Sequence, residues 1–196
     1  MSVRASGEGG AAVPAPAGVV RPARREDLAR IWELLHGLAV YERIEHEVTG
    51  TAARLCEHLF GAEPSAGCLV AESAGRLVGY ALFYPTFSSF STVPNLWLED
   101  LYVEPETRGQ GVGRALMQAV ARVALERGCR RMGWSVLDWN QPSIEFYRRS
   151  GARLTGAGWL QYGLDPEGLR AVAEGRAGVT PEATEEGTSG TTSSNT

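Results

Sequence analysis

The segment Leu98–Arg114, LEDLYVEPETRGQGVGR, constrains the fold more than any other stretch of the chain. Its apolar first half reads as a strand, Pro105 and Gly109 break it, and Val112, Leu116, Ala119, Val120 and Val123 then recur at helical spacing. A strand that passes through glycines straight into a helix makes an anion site. Gly109, Gly111 and Gly113 admit a ligand close to the backbone, and the helix start offers unpaired N–H groups at the positive end of its dipole. Arg108 and Arg114 add charge, so a pyrophosphate suits the site. Two familiar phosphate loops do not match. The dinucleotide pattern G-x-G-x-x-G opens a βαβ unit and has an acid about 20 residues later. Here the glycines alternate and two helices and a hairpin come first. The nucleotide-hydrolase loop needs Gly-Lys-Ser/Thr, which is absent.

The elements around this segment follow from periodicity and punctuation. A short strand is expected at Gly18–Arg21, then a helix carrying Leu28, Ile31, Trp32, Leu35, Leu38 and Ala39 on one side, with Glu26 and Asp27 at its favourable end. After the loop Tyr41–Thr49, a second helix has Ala52, Leu55, Cys56 and Leu59 on a stripe and is closed by Gly61. Cys68–Glu72 and Leu77–Tyr84, separated by Ser73-Ala74-Gly75-Arg76, predict a β-hairpin. Leu96–Val103 is the next strand, and Gly128 ends the helix that follows the glycine turn. Met132–Leu137 predicts a strand, Asn140-Gln141-Pro142 opens a helix ending at Gly151, and Trp159–Leu164 predicts a last strand, with a short helix after Pro166. The order is β α α β β β α β α β, an α/β domain with a mixed central sheet flanked by helices. Residues 1–18 and 175–196 hold too little apolar bulk to fold and are expected to be a disordered leader and tail around one domain at 19–174.

Charge and composition narrow the partners. A net charge of −4 argues against nucleic acid, whose phosphates call for surplus Lys and Arg. No apolar run reaches the roughly 18 residues of a membrane span, and no apolar stretch follows a basic start, so neither a membrane nor a secretory route is expected and a cytoplasmic location follows. Cys56, Cys68 and Cys129 are odd in number and far apart, which suits free thiols. His36, His46 and His58 lack ligand spacing, so no metal is expected.

Arg108-Gly109-Gln110-Gly111-Val112-Gly113 resembles the R/Q-x-x-G-x-G/A signature of the GCN5-related N-acetyltransferases, placed as in that family between the fourth strand and the third helix. Asp138–Tyr147, DWNQPSIEFY, resembles the family's second coenzyme-side element, N-x-x-S/A-x-x-F/Y-Y. The resemblance runs from about Val19 to Leu164 and implies acetyl-CoA as co-substrate. It implies that Arg108 to Arg114, with Asn140, Gln141, Pro142 and Ser143, hold the coenzyme. Backbone N–H groups around Leu101, Tyr102 and Val103 can receive the oxyanion.

Leu38–Glu42, Leu98–Val103, Trp139–Ile144 with Phe146-Tyr147, and Gly158-Trp159 are similar to the diamine acetyltransferase branch, the spermidine/spermine and thialysine type. That likeness implies Glu99 and Tyr147 either side of the reaction centre, Tyr41, Glu42, Gly133, Trp134 and Ser135 around the amine, and a homodimer. Glu99 would take the proton of the ammonium and Tyr147 would serve the leaving sulfur; the plainer readings are a recognition carboxylate and a packed ring. The sequence departs from the polyamine enzymes at Ala157, where they usually carry an acid, and at Arg43 and His46 in a loop that is strongly acidic in them. The expected reaction is acetylation of a small primary amine: a diamine, a polyamine or a thialysine-like amino acid. An acetyltransferase of protein lysines or N-termini and a non-catalytic acyl-CoA sensor are the alternatives.

Overall fold

Continuous apolar runs at Cys68–Ala71 and Leu77–Phe83, buried on both faces, build the middle of the sheet, and the computed structural model describes residues 18–156, 158 and 160–176. Val19–Pro22 (β1), Gly67–Ser73 (β2), Arg76–Ser88 (β3) and Val93–Val103 (β4) pair antiparallel in chain order, and Met132–Gly133 (β5) lies parallel beside β4. The β2–β3 turn forms as expected. Ala74 and Gly75 take φ of 49° and 74°, the two positive values a tight hairpin loop needs to match strand twist.

The described residues form five α-helices: Leu28–Glu42 (α1), Ala52–Phe60 (α2), Val112–Glu126 (α3), Gln141–Arg149 (α4) and Pro166–Ala173 (α5). Ile31 and Leu34 of α1 and Leu59 of α2 bury against Val70, Tyr80, Leu82 and Tyr102. Gly79, the neighbour of Tyr80, looks the other way: a Cβ there would meet Leu116 of α3 at 3.4 Å. Successive strand residues face opposite sides, so α1 and α2 cover one face of the sheet and α3 the other. Gly37 lets α1 settle on the sheet, since an added Cβ would lie 2.8 Å from the Tyr102 hydroxyl.

The chain divides into two compact units, one ending at Asn140 and carrying the sheet with α1, α2 and α3, and one beginning at Gln141 and carrying α4 and α5. Among the described residues no helix is long and apolar enough to cross a membrane. The cysteines are free thiols, and burial pushes that of Cys68 up to about 12.

Three local expectations are corrected. Met132–Leu137 shrinks to a two-residue strand, because the ladder to β4 stops at Trp97 and Gly133 and Ser135 to Leu137 are exposed. Leu160–Leu164 forms no strand: Leu160 and Tyr162 are largely exposed, and the preceding Gly156 and Gly158 turn the backbone with positive φ. Ala157 and Trp159 lie outside the described residues, as do 1–17 and 177–196, and with them nearly all of the expected leader and tail. Gly61 ends α2 in an extended conformation rather than a left-handed one. Its lack of a side chain matters because a Cβ would sit 2.4 Å from the Glu57 carbonyl oxygen.

Candidate active site

A bulge in β4 creates the first part of the site. Leu98 pairs with Phe83 and Asp100 with Leu82, so Glu99 is an extra residue with no partner on β3. In an unbroken strand Glu99 and Asp100 would face opposite sides of the sheet. A bulge re-aims side chains locally, and here both carboxylates reach one cavity of about 490 Å³. Its apolar lining comes from Trp32, Leu35 and Leu38 of α1, Leu55 of α2, and Ile44 and Val48 of the intervening loop. Arg43 ends α1 with φ of 63°, which turns the chain back so that this loop can close one side. Glu42, Glu47, Arg54 and His58 complete the charged lining.

The carboxylates of this cavity differ in their surroundings. The Trp97 indole donates to Glu99 Oε2 at 2.8 Å, and the Tyr84 phenol also bonds the Glu99 side chain and is raised in pKa, by burial first and then by that charge. Burial raises Glu42. Asp100 is pushed from the usual 3.8 up to about 6, chiefly by burial and further by the charges of Glu99 and Glu42, against a hydrogen bond from the Tyr80 hydroxyl at 3.0 Å. The folded state therefore holds its proton more tightly than the unfolded chain. Stability from this group is full below about pH 4 and is lost as pH rises through about 6. Asp100→Asn, which mimics the protonated group and can still accept from Tyr80, is expected to stabilise the fold by about 1–3 kcal/mol at pH 7. The gain should shrink between pH 6 and 4, as followed by thermal melts across that range.

The glycine turn forms a second feature in the same unit. Gly109 and Gly111 take φ of 77° and 87°, and around each the place of a Cβ is open space. Gly111 is the cap residue of α3 and supplies no side-chain bond; the first intrahelical bond runs from Ala115 N–H to the Gly111 oxygen. The N–H groups of Val112, Gly113 and Arg114 precede that bond, so they have no helical acceptor. A non-glycine residue would be strained at either left-handed position. Beyond Trp97, one edge of β4 from Leu98 to Val103 has no strand partner among the described residues.

Arg108 lies over the Tyr41 ring at 4.5 Å and the Tyr102 ring at 5.6 Å, and its Nε donates to the Val103 oxygen at 2.9 Å. The Tyr41 hydroxyl in turn donates to Oδ1 of the buried Asn140 at 3.0 Å. In the second unit, α4 carries Pro142 and Ser143 in its first turn and Tyr147 in its last, where the Tyr147 ring meets Phe146 edge-on at 5.3 Å.

The acetyltransferase (GNAT) family model matches residues 28–152 of the chain. The chain belongs to that family. It is 38% identical over 165 residues to thialysine N-epsilon-acetyltransferase of Sus scrofa, covering 79% of this chain and 96% of that protein. It is 35% identical over 140 residues to the human spermidine/spermine N(1)-acetyltransferase-like protein 1, covering 68% of this chain and 20% of that one. These similarities place it in the diamine acetyltransferase branch. In fold it is similar to an integron cassette protein from the mobile metagenome of V. cholerae, with a TM-score of 0.65, 20% identity and coverage of 81% of this chain and 98% of that one.

Of the residues the sequence singled out in this acetyltransferase, Glu42 and Glu99 line the cavity together. Tyr41 follows the next direction around α1 and meets Arg108 and Asn140 instead. Gly133 packs on the Trp97 ring, where an added Cβ would stand 3.3 Å away; Trp134 is half-buried and Ser135 exposed, and none of the three lines the cavity. Tyr102 is buried in the core under α1, so only its backbone is left for a ligand, while Leu101 and Val103 are half-buried. Gln110 and Arg114 are exposed on the turn. Sequence reasoning passed over Asp100, Glu47 and the α2 face. That face is legible in retrospect, since Thr51, Arg54, Leu55 and His58 fall at helical spacing.

Proposed function

We propose that this acetyltransferase moves the acetyl group of acetyl-CoA onto the primary amine of a small cationic molecule seated in the cavity between α1, α2 and β4. The observation that carries the reading is the bulge that turns Glu99 and Asp100 together into one pocket beside Glu42. A volume of about 490 Å³ suits a small molecule, which favours it over a protein tail. Thialysine and the polyamines named for the relatives belong to this class of acceptor. A homodimer, on the resemblance to the diamine acetyltransferase branch alone, and a cytoplasmic location complete the reading, with residues 19–174 as the catalytic domain.

Acetyl-CoA supplies an activated acetyl thioester. The open turn at Gly109–Gly113 and the N–H groups opening α3, which have no helical acceptor, fit its pyrophosphate, and the edge of β4 at Leu101–Val103, without a strand partner among the described residues, fits its acyl-pantetheine part. Asn140, Gln141, Pro142 and Ser143 belong to the same coenzyme-side reading. An alkylammonium with a pKa near 10.4 is neutral in only about one molecule per thousand at pH 7, so deprotonation costs roughly 4–5 kcal/mol. Glu99, braced by Trp97 and Tyr84, accepts that proton; Asp100 and Glu42 hold the cation in place. Tyr147 donates a hydrogen bond to the departing sulfur.

A screen of small amines with acetyl-CoA, reading release of the free thiol, tests the proposal; acetylation of protein tails with no small amine accepted would overturn it. Gly111→Val is expected to raise the acetyl-CoA Michaelis constant about tenfold or more, with Arg108→Ala less severe. Gly111→Val both strains a φ of 87° and fills the open cradle, whereas Arg108 already commits Nε to Val103. Both contacts lie far from the reacting carbon and act on ground and transition states alike, so turnover should change less. Steady-state kinetics with acetyl-CoA varied provide the check.

A further inference from the structure

The acceptor cavity has a basic wall as well as an acidic one. Glu42, Glu99 and Asp100 come from α1 and β4, while α2 presents Arg54 and His58 to the same space. His58 Nδ1 lies 2.9 Å from the Ser65 hydroxyl, and the Arg54 guanidinium carries the fixed positive charge of that wall. Arg54 stands in the first turn of α2, its backbone N–H capped by Thr51 Oγ1 at 3.2 Å. A cation there opposes the helix dipole. Among the described residues Arg54 takes no part in an ion pair, whereas Glu47, on the loop side of the cavity, has His46 Nε2 at 3.5 Å. Gly50 and Thr51, at the positive end of α2, line the cavity next to it. An anion placed against Arg54 would be met by both the guanidinium and the helix start.

We infer that Arg54 reads a carboxylate on the acceptor, so that the enzyme acetylates the side-chain amine of an amino acid in preference to a diamine or polyamine. The inference rests on the reading of this cavity as the acceptor site. A molecule with an ammonium at one end and a carboxylate at the other matches both walls. A polyamine brings a second cation to Arg54, where like charges repel and no acceptor group answers the guanidinium fork. Specificity in this site is thus set partly by what Arg54 excludes.

Matched acceptor pairs that differ only in the α-carboxylate isolate the effect: ornithine against putrescine, and lysine against cadaverine. With the full chain and saturating acetyl-CoA, the wild type is expected to favour the amino acid in each pair. Arg54→Ala should raise the amino-acid Michaelis constant by about 10- to 100-fold, the range for losing a charge-assisted hydrogen bond, while leaving its turnover close to wild type. The diamine should bind better once the repelling cation is gone, and Arg54→Glu should reverse the preference. A wild-type preference for the diamines, or an Arg54→Ala variant with the preference unchanged, overturns the assignment. So does an effect confined to the acetyl-CoA Michaelis constant. Leu35→Trp, which fills the cavity, separates the two layers of the argument. If it leaves every acceptor constant unchanged while acetyl-CoA binding is intact, the cavity is not the acceptor site and the underlying reading fails. If it raises them all while Arg54→Ala leaves the ratio untouched, only the role of Arg54 fails.

Discussion

Glu99→Gln is expected to cut turnover by about 10²–10⁴ at pH 7 and to recover much of that loss by pH 10. The substitution keeps the shape of the side chain and, with the amide oxygen turned to the Trp97 indole, can keep the bond that Glu99 Oε2 accepts, but it removes the site that takes a proton. At neutral pH nearly all of the amine is charged, and without a base its lone pair is unavailable. As pH climbs toward 10.4 the amine deprotonates in solution and the missing base matters less. Asp100 stays beside it and is charged above about pH 6, so the cavity retains attraction for a cation and amine affinity should fall only modestly. Rates at several amine concentrations between pH 7 and 10 decide the matter. A defect that is constant across pH and lies in the amine Michaelis constant would make Glu99 a recognition residue, with the base elsewhere.

Asp100 shows where sequence reasoning stops. Its neighbour Glu99 is legible as a candidate from chemistry and from the LEDLYV run, and alternation along a strand then assigns Asp100 to the opposite face. The bulge that overrides alternation depends on how β4 registers against β3, a long-range pairing with no local signature here. Tyr41 teaches the same lesson on a helix: adjacency to Glu42 places both at the end of α1, but a step of one residue turns Tyr41 away from the cavity and toward Arg108.

What local chemistry dictates was legible. The left-handed pair at Ala74 and Gly75, the positive φ of Gly109 and Gly111, and the start of α3 directly after them all follow from glycines and turn residues placed between periodic runs. The hydrophobic stripes of α1 and α3 put Ile31, Ala39, Leu116 and Val120 in the core on either side of the sheet, and Leu34, which the α1 stripe left out, is buried with them. The run Leu160–Leu164 failed as a strand for the complementary reason. Alternating apolar residues make a strand only where a neighbouring strand accepts their backbone groups, and no partner is present among the described residues.

Tyr147→Phe is expected to lower turnover by about 10²-fold or more while leaving both Michaelis constants near wild type, and high pH should not rescue it. The variant removes one hydroxyl and keeps the ring that meets Phe146 edge-on at 5.3 Å, so α4 should fold unchanged. The proton in question belongs at the leaving sulfur rather than the amine. Free phenol, with a pKa near 10, is a weaker acid than a thiol near 8.5, so complete transfer to sulfur is uphill by about 2 kcal/mol. A hydrogen bond that strengthens as thiolate charge develops needs no complete transfer and still lowers the barrier. Raising pH supplies neutral amine but no donor for sulfur, which is why the profile of this variant should run parallel to the wild type where that of Glu99→Gln converges on it. Acetyl donors with better thiol leaving groups should narrow the gap between Tyr147→Phe and the wild type. Full turnover in the variant would return Tyr147 to a packing role on α4, and a gap that closes with pH would assign it to the amine instead.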